Sequence, residues 1–307
     1  MRAIVVSEFG PPEVLVPSEV PDPVPGDGEV LVEVELANVT FVETQIRAGR
    51  PPVAAMAPAL PYIPGNGVAG TIGDRRVLSQ TGGTGGYAER AAVAESGLID
   101  VPSGLSLPDA LALLADGRTA GLLVATAQIA PGETVLVPAA AGGVGSLLVQ
   151  LARAAGARVI AAAGGERKVA VARDELGADV ALDYRQPGWA EAAGPVDVAF
   201  DGVGGAIGRD AFGLVRSGGR YLPFGAASGA FAGVTEEDAA QRRVTIVRGG
   251  PPSPEEAARL VAAALDAAAG GTLRPIVGQM VALDQAAEAH RAIEARQTIG
   301  KTLLDVR

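Results

Sequence analysis

Hydrophobic positions along the chain follow two different patterns, and the change comes near residue 107. Before this point, short apolar runs alternate with Gly and Pro clusters, which indicates short strands joined by irregular loops. The predicted strands cover residues 3–6, 29–36, 70–72 and 87–93. The proline-rich stretch 51–64 excludes a regular helix there. This part of the chain is typical of a small, barrel-like β domain.

From residue 107 onwards the pattern predicts one or two helices over 107–129, and then strands that alternate with helices. The predicted strands cover residues 134–137, 158–162, 180–182, 196–200, 219–224 and 244–247, and the helices begin near Gly145, Arg167, Ile207 and Glu236. This alternation predicts an α/β fold with a doubly wound parallel sheet. The strands are continuously apolar, which is typical of a sheet covered on both faces.

The last part of the chain predicts an amphipathic helix over 254–269, a strand over 276–283, a helix over 285–295 and a strand over 301–306. We expect this tail to return to the N-terminal β domain. The predicted domains are therefore discontinuous, with residues 1–109 and 249–307 in one domain and residues 110–248 in the other.

The sequence AAAGGVG at 139–145 joins a predicted strand directly to a predicted helix. Free N–H groups and the positive end of the helix dipole make such a junction a phosphate cradle. Gly142 and Gly143 let the backbone approach a pyrophosphate, and Gly145 lets the helix pack close to the strand. Ala140 replaces the first glycine of the full motif, so a purely structural turn is the alternative. The next strand, one βαβ unit further on, favours a dinucleotide site.

Composition excludes several classes of function. The chain has 307 residues, a formal charge of −10, no cysteine and one histidine, His290. An acidic chain without a basic face is a poor nucleic-acid binder. Without cysteine, and with one histidine, we expect no zinc site. The N-terminus lacks signal-peptide features, and Gly, Pro or charge interrupts every long apolar run, so we expect a cytoplasmic protein without membrane contact.

Several motifs extend the picture over nearly the whole length. They are AAAGGVG at 139–145, FVETQIRAG at 41–49, YIPGNGVAG at 62–70, GGYAER at 85–90, GADVALDY at 177–184, FDGVGG at 200–205 and GKTLLDV at 300–306. With them the chain resembles the zinc-independent medium-chain dehydrogenases/reductases, especially the NADPH-dependent quinone oxidoreductases. It is also similar to the enoyl reductase domains of polyketide synthases. The resemblance implies a GroES-like β domain, a Rossmann domain and a cleft between them.

The end of the second Rossmann strand indicates which cofactor is used. NAD sites usually place a carboxylate there for the ribose 2′-OH, whereas this strand ends in Ala-Ala-Gly-Gly. Gly164 leaves room for a 2′-phosphate, and Lys168 is near enough in sequence to pair with it. The resemblance implies that Lys168 and Tyr184 contact the 2′-phosphate. The alternative is that Lys168 is a solvated helix charge and Tyr184 a turn residue.

The resemblance also assigns the remaining cofactor contacts. They are Thr119, Val203, Phe224 and Gly225 toward the nicotinamide end, and Ala141, Gly142, Gly143, Val144 and Gly145 in the cradle. Loop geometry is the alternative explanation for the glycines. The predicted cofactor is NADPH.

Three positions depart from the family pattern on the substrate side. Thr40 and Glu43 stand where the family usually has Asn and Asp, and Gly67 replaces the Glu of the PGxExAG motif. The candidate catalytic residues are Thr40 and Tyr62. The Tyr62 hydroxyl can donate a hydrogen bond or a proton to a developing oxyanion, and the alternative is that Tyr62 is a rim or core aromatic. Thr40, in the place of the family's Asn, is expected to contact the nicotinamide or the substrate. Glu43 is a candidate acid only if burial raises its pKa. We expect His290 to be structural.

Without zinc, hydrogen bonds must polarise the acceptor, which favours quinones and α,β-unsaturated carbonyl compounds. The first alternative is an enoyl reductase that acts on a thioester or a biosynthetic intermediate. The second is an NADPH-binding protein with little turnover. An apolar edge strand at 244–247 would promote aggregation if it were exposed. We therefore also expect a homodimer that pairs through this strand.

Overall fold

The computed structural model describes every residue from Met1 to Arg307, and its strands and helices follow the alternation of apolar runs and turns. The strands are β1 (Arg2–Val5), β2 (Val16–Glu19), β3 (Glu29–Val39), β4 (Gly67–Ile72), β5 (Arg75–Gln80), β6 (Arg90–Ala94), β7 (Ile99–Asp100), β8 (Thr134–Pro138), β9 (Arg158–Ala163), β10 (Val180–Asp183), β11 (Val196–Asp201), β12 (Val215–Pro223), β13 (Thr245–Ile246), β14 (Val277–Ala282) and β15 (Lys301–Asp305). The helices are α1 (Phe41–Arg47), α2 (Leu107–Ala127), α3 (Gly143–Ala154), α4 (Glu166–Ala170), α5 (Trp189–Ala193), α6 (Gly205–Leu214), α7 (Glu236–Arg242), α8 (Pro254–Ala269) and α9 (Ala286–Glu294).

A six-stranded sheet in the order β10-β9-β8-β11-β12-β13 forms the centre of the unit Asp116–Leu260. All its strand pairs are parallel. Every residue of β11 is buried, as expected for a strand covered on both faces. The order runs one way from β8 to β10 and the other way from β8 to β13. This arrangement confirms the predicted doubly wound α/β sheet.

The other unit contains Met1–Ala115 and Val261–Arg307. Its main sheet has the order β14-β15-β3-β4-β5-β7, with β6 also paired to β3. Strand β15 lies antiparallel to β3, with Leu304 opposite Ala37, so the C-terminal strands complete the sheet that the N-terminal strands begin. The two boundaries between the units fall inside α2, after Ala115, and inside α8, after Leu260.

Several local predictions were wrong in detail. The strand predicted to begin at Tyr87 begins at Arg90, because the Tyr87 N–H donates to the Pro64 carbonyl in a loop. The strand predicted over 244–247 is only Thr245–Ile246. Helix α5 was missed, because a five-residue helix is too short to show a hydrophobic period. The run after residue 107, where one or two helices were predicted, forms the single helix α2.

Helix α2 is long and apolar enough to cross a membrane by length and composition. Half of its apolar 18-residue stretch is, however, buried within the protein. Core helices of soluble proteins have the same composition, so this feature by itself is weak evidence for a membrane segment.

His290 lies on α9 with no exposed surface. Its Nε2 is 3.1 Å from the Tyr87 hydroxyl oxygen, and the two rings meet edge to face. Burial lowers the pKa of His290 to about 3, so the ring is neutral at physiological pH. This packing is consistent with the structural role expected for His290.

The buried ring gives the stability of the protein a specific pH dependence. Between about pH 6.5 and the folded-state pKa, the unfolded chain binds a proton at His290 that the folded chain does not. His290 should therefore contribute a fall in the free energy of unfolding of about 1.4 kcal/mol per pH unit as the pH drops below about 6. Urea titrations between pH 7 and pH 5 measure this slope. The His290 contribution to the slope should be absent in His290→Gln. Equal slopes in the two proteins would contradict the assignment of a neutral, buried His290.

Candidate active site

Residues 139–142 connect β8 directly to α3. The Gly142 N–H donates to the Ala139 carbonyl oxygen at 2.9 Å, which closes the turn. A Cβ atom on Gly145 would lie 2.3 Å from that same oxygen, so only glycine lets the helix approach the strand end this closely. The first N–H groups of a helix have no partners within it. Such N–H groups and the positive end of the helix dipole favour an anion. Ala141 lies in the turn and Val144 in the first turn of α3.

An unpredicted carboxylate lies against this turn. A Cβ atom on Gly143 would be 2.0 Å from Oδ2 of Asp116, so the glycine makes room for the Asp116 side chain. Asp116 precedes Thr119 by three positions on α2, and residues three apart share a helix face. Thr119, predicted near the nicotinamide end of the cofactor, is therefore on the side of α2 that meets the glycine turn. The sequence alone does not reveal this, because nothing in it places α2 beside α3.

The parallel sheet brings the other predicted cofactor residues to one edge. Each follows the carboxyl end of a strand: Gly164 and Lys168 follow β9, Tyr184 follows β10, Val203 follows β11, and Phe224 and Gly225 follow β12. The glycine turn follows β8, where the strand order reverses. Ligands of doubly wound sheets bind at this switch point. Strand alternation predicts that these strand ends share one edge, whereas the family resemblance assigned the individual residues.

The ends of β9 and β10 bring two glycines beside the Tyr184 and Arg185 side chains. A Cβ atom on Gly164 would lie 3.1 Å from the Tyr184 hydroxyl oxygen, and a Cβ atom on Gly165 would lie 2.7 Å from Nη2 of Arg185. Lys168 is half-buried on α4, and its backbone N–H donates to the Gly165 carbonyl oxygen at 3.0 Å. This corner combines small residues with cationic ones, which suits a phosphate.

Arg185, which the sequence did not single out, also lies at this corner. Arg185 is exposed, and Asp183 holds its guanidinium through bonds of 2.9 and 3.1 Å. This pairing lowers the pKa of Asp183 far below its usual range, so the carboxylate is ionised and its charge is offset. The missed signal was the register: Asp183 pairs with Ala163, which places Arg185 two residues on, beside Gly165.

A buried carboxylate shapes the loop after β11. Oδ1 of Asp201 accepts the N–H groups of Val203 and Gly204 at 2.9 and 2.8 Å, and Oδ2 accepts the Tyr221 hydroxyl at 2.5 Å. The backbone carbonyl of Asp201 accepts the Phe224 N–H at 2.9 Å. Asp201 thus fixes the loop that contains Val203 to the one that begins at Phe224. Burial raises the pKa of Tyr221, so its hydroxyl remains a donor.

The two candidate catalytic residues, Thr40 and Tyr62, belong to the other unit. Thr40 is the N-cap of α1, and its side chain forms a capping box with Glu43. Tyr62 is half-buried and lines an open groove with Pro58, Pro61 and other mainly apolar residues. Burial raises the pKa of Tyr62 to about 12, so its hydroxyl is protonated at neutral pH and can donate.

The departure at Gly67 has a local cause. A Cβ atom on Gly67 would lie 2.6 Å from Nδ2 of Asn38 on β3, so the Asn38 side chain fills the space beside the glycine. Asn38 is 2% exposed, and its Oδ1 has no hydrogen-bond partner. A Glu side chain at position 67 would therefore overlap the buried Asn38 side chain.

Comparisons with known proteins agree with this geometry. Residues 176–304 match the family described as zinc-binding dehydrogenase. The chain is 33% identical to a probable quinone oxidoreductase of Schizosaccharomyces pombe, over 98% of this chain and 96% of that protein. It is 31% identical to the human quinone oxidoreductase, over 99% and 97%.

Solved structures give the same result. The quinone oxidoreductase of Thermus thermophilus, whose structure was determined alone and with NADPH, superposes with a TM-score of 0.86 at 33% identity, and both chains are fully covered. The Escherichia coli quinone oxidoreductase in complex with NADPH gives a TM-score of 0.89 at 27% identity, also with full coverage. Full-length similarity at this level shows that the chain belongs to the quinone oxidoreductase family of the medium-chain dehydrogenases/reductases.

Proposed function

We propose that this protein is an NADPH-dependent oxidoreductase that transfers a hydride to a quinone or an α,β-unsaturated carbonyl compound without zinc. The main observation is the glycine turn at the switch point of the parallel sheet, which sets the N-terminus of α3 at the end of β8, where it can bind a pyrophosphate. The relatives that are crystallised with NADPH have the same fold over the full chain.

The residues present fit this cofactor. Ala141, Gly142, Gly143, Val144 and Gly145 would hold the pyrophosphate, and Thr119, Val203, Phe224 and Gly225 would surround the nicotinamide end. Lys168, Tyr184 and Arg185 would contact the 2′-phosphate, where a Cβ atom on Gly164 would already touch Tyr184. Strand β9 ends at Ala163, so no carboxylate of that strand opposes the phosphate.

When bound, NADPH supplies the hydride, and the protein's tasks are to orient the acceptor and stabilise the charge that forms on it. The protonated Tyr62 hydroxyl is suited to donate a hydrogen bond to a developing oxyanion. Thr40 is half-buried at the start of α1 and offers a second hydroxyl. A conjugated acceptor spreads negative charge onto oxygen, where such donors act.

The available donor atoms do not fit a zinc ion. Structural zinc sites use thiolate and imidazole ligands, and catalytic sites add a carboxylate to histidine or cysteine ligands but are not built from carboxylates alone. This chain has no cysteine, and its one histidine is buried against Tyr87. No group of three His, Asp or Glu side chains is arranged to hold a metal ion. We therefore propose zinc-independent catalysis. A cysteine-free chain also needs no oxidising compartment to fold, so we propose a cytoplasmic enzyme.

The 2′-phosphate assignment is tested by fluorescence titration of the purified protein with NADPH and with NADH. Lys168→Ala should weaken NADPH binding by roughly 10- to 100-fold, as expected for loss of a charge-assisted contact, and leave NADH binding nearly unchanged. Arg185→Ala should also weaken NADPH binding, but only by about fivefold, because the Arg185 side chain is exposed.

Arg173→Ala is the matched control. Arg173 is also exposed and pairs with the adjacent Asp174, in the same unit. It should not alter either affinity. Equal NADPH and NADH affinities in the wild-type protein would contradict the assignment.

Turnover separates an enzyme from an NADPH-binding protein. NADPH oxidation should accelerate on addition of simple quinones or enones, and the rate should survive dialysis against a chelator. Tyr62→Phe should lower kcat by about 10- to 100-fold if its hydroxyl stabilises the oxyanion. A wild-type protein that binds NADPH but oxidises it with none of these acceptors would favour the second alternative. Selective turnover of enoyl thioesters would favour the first.

Strand β13 is the edge of the six-stranded sheet, so one side of its backbone lacks a partner strand. We propose that two chains pair through this edge. Light scattering at micromolar concentration should give the mass of two chains, and Thr245→Lys, at an exposed position of β13, should shift the protein toward monomer. A monomeric wild-type protein would refute the pairing.

A further inference from the structure

A chain of buried polar groups leads inward from Thr40. The carboxylate of Glu43 is 6% exposed, and each of its oxygens is hydrogen-bonded. Oε2 accepts the Thr40 N–H at 2.5 Å and the Thr40 hydroxyl at 3.0 Å, and Oε1 accepts the Asn66 N–H at 2.7 Å. The Tyr87 hydroxyl is 3.4 Å from Oε2 and 3.1 Å from Nε2 of His290.

This geometry limits what the Thr40 hydroxyl can do. A hydroxyl has one hydrogen to donate, and here that hydrogen faces the Glu43 carboxylate. With Glu43 ionised, Thr40 has no hydrogen to donate outside the cluster. A substrate oxyanion would then meet only the lone pairs of the Thr40 oxygen, which repel it. With Glu43 protonated, the carboxyl hydrogen can bond to the Thr40 oxygen across the same 3.0 Å, and the Thr40 hydrogen becomes free to donate. The protonation state of Glu43 therefore decides whether Thr40 is a donor.

The surroundings of Glu43 favour the protonated form relative to an exposed glutamate. Burial raises its pKa, and this effect outweighs the backbone N–H bonds and the charge of Lys301 on β15, which act in the opposite direction. The other ionisable groups nearby are Arg47 on α1, Tyr62, Tyr87 and His290.

The inner end of the chain is not a competing proton acceptor. Burial raises the pKa of Tyr87 well above its usual value, so this hydroxyl keeps its hydrogen. Burial lowers the pKa of His290, so its ring stays neutral. A proton that leaves Glu43 therefore moves outward, through the half-buried Thr40.

We propose that Glu43 stores the proton that completes reduction of the acceptor and passes it on through the Thr40 hydroxyl. This inference rests on the proposed function. Hydride addition leaves the acceptor as an oxyanion. The oxyanion takes the Thr40 hydrogen as a new O–H bond forms, Thr40 takes the Glu43 carboxyl hydrogen, and Glu43 becomes a carboxylate. After the product leaves, a solvent proton restores Glu43 by the reverse path. Glu43 does not touch the acceptor and acts as a positioning residue for Thr40.

The test compares the pH dependence of kcat in the wild-type enzyme, Glu43→Gln, Thr40→Val and Thr40→Ser. In the wild type, kcat should fall as the pH rises through the elevated pKa of Glu43. Glu43→Gln and Thr40→Val should each lower kcat by about a hundredfold at low pH and remove this fall. Thr40→Ser keeps a hydroxyl, so its kcat and the pH dependence of its kcat should resemble those of the wild type. Glu33→Gln, an exposed glutamate of β3, is the matched control and should behave like the wild type.

A second measurement is independent of turnover. In protein labelled with ¹³C at the glutamate carboxyl carbons, the NMR signal absent from Glu43→Gln should titrate above the usual glutamate range. Titration in or below that range would overturn the proposal, as would a Glu43→Gln enzyme with the wild-type pH profile. If Glu43→Gln does not fold, Thr40→Val and the wild-type NMR titration decide. A wild-type protein without turnover would instead refute the proposed function.

Discussion

Between Ala139 and Gly145 the backbone turns so tightly that any Cβ atom on Gly145 would lie 2.3 Å from the Ala139 carbonyl oxygen. This close approach sets the start of α3 directly on the end of β8, at the point where the strand order reverses. The free amides of α3 and the loops after β9, β10, β11 and β12 then lie along one edge of the sheet. The proposed cofactor site depends on this one contact, because a wider turn would move the helix dipole away from the pyrophosphate.

The two units use buried carboxylates for different purposes. Asp201 accepts two backbone N–H groups and one hydroxyl, and these bonds fix the loop after β11. Glu43 also accepts backbone N–H groups, but it shares a hydroxyl hydrogen with Thr40, a residue that is half-buried. The same chemical group is thus structural in one unit and, in our proposal, a proton store in the other.

The sequence was sufficient for the layout of the parallel sheet, because apolar strands and amphipathic helices alternate without interruption. It was also sufficient for the return of the tail to the N-terminal sheet, where β15 pairs with β3. It was insufficient wherever a contact joins residues far apart in the chain. Asp116 meets Gly143, and Asn38 fills the space beside Gly67, through packing that no local pattern encodes. Arg185 was missed because register, not proximity in sequence, brings it to Gly165.

The cofactor assignment is the central claim, and a crystal structure of the protein with NADPH tests it most directly. We expect electron density for the pyrophosphate at the first N–H groups of α3, with the 2′-phosphate at Lys168, Tyr184 and Arg185. Density for the adenine ribose phosphate at any other corner of the sheet, or no bound nucleotide at saturating NADPH, would contradict it.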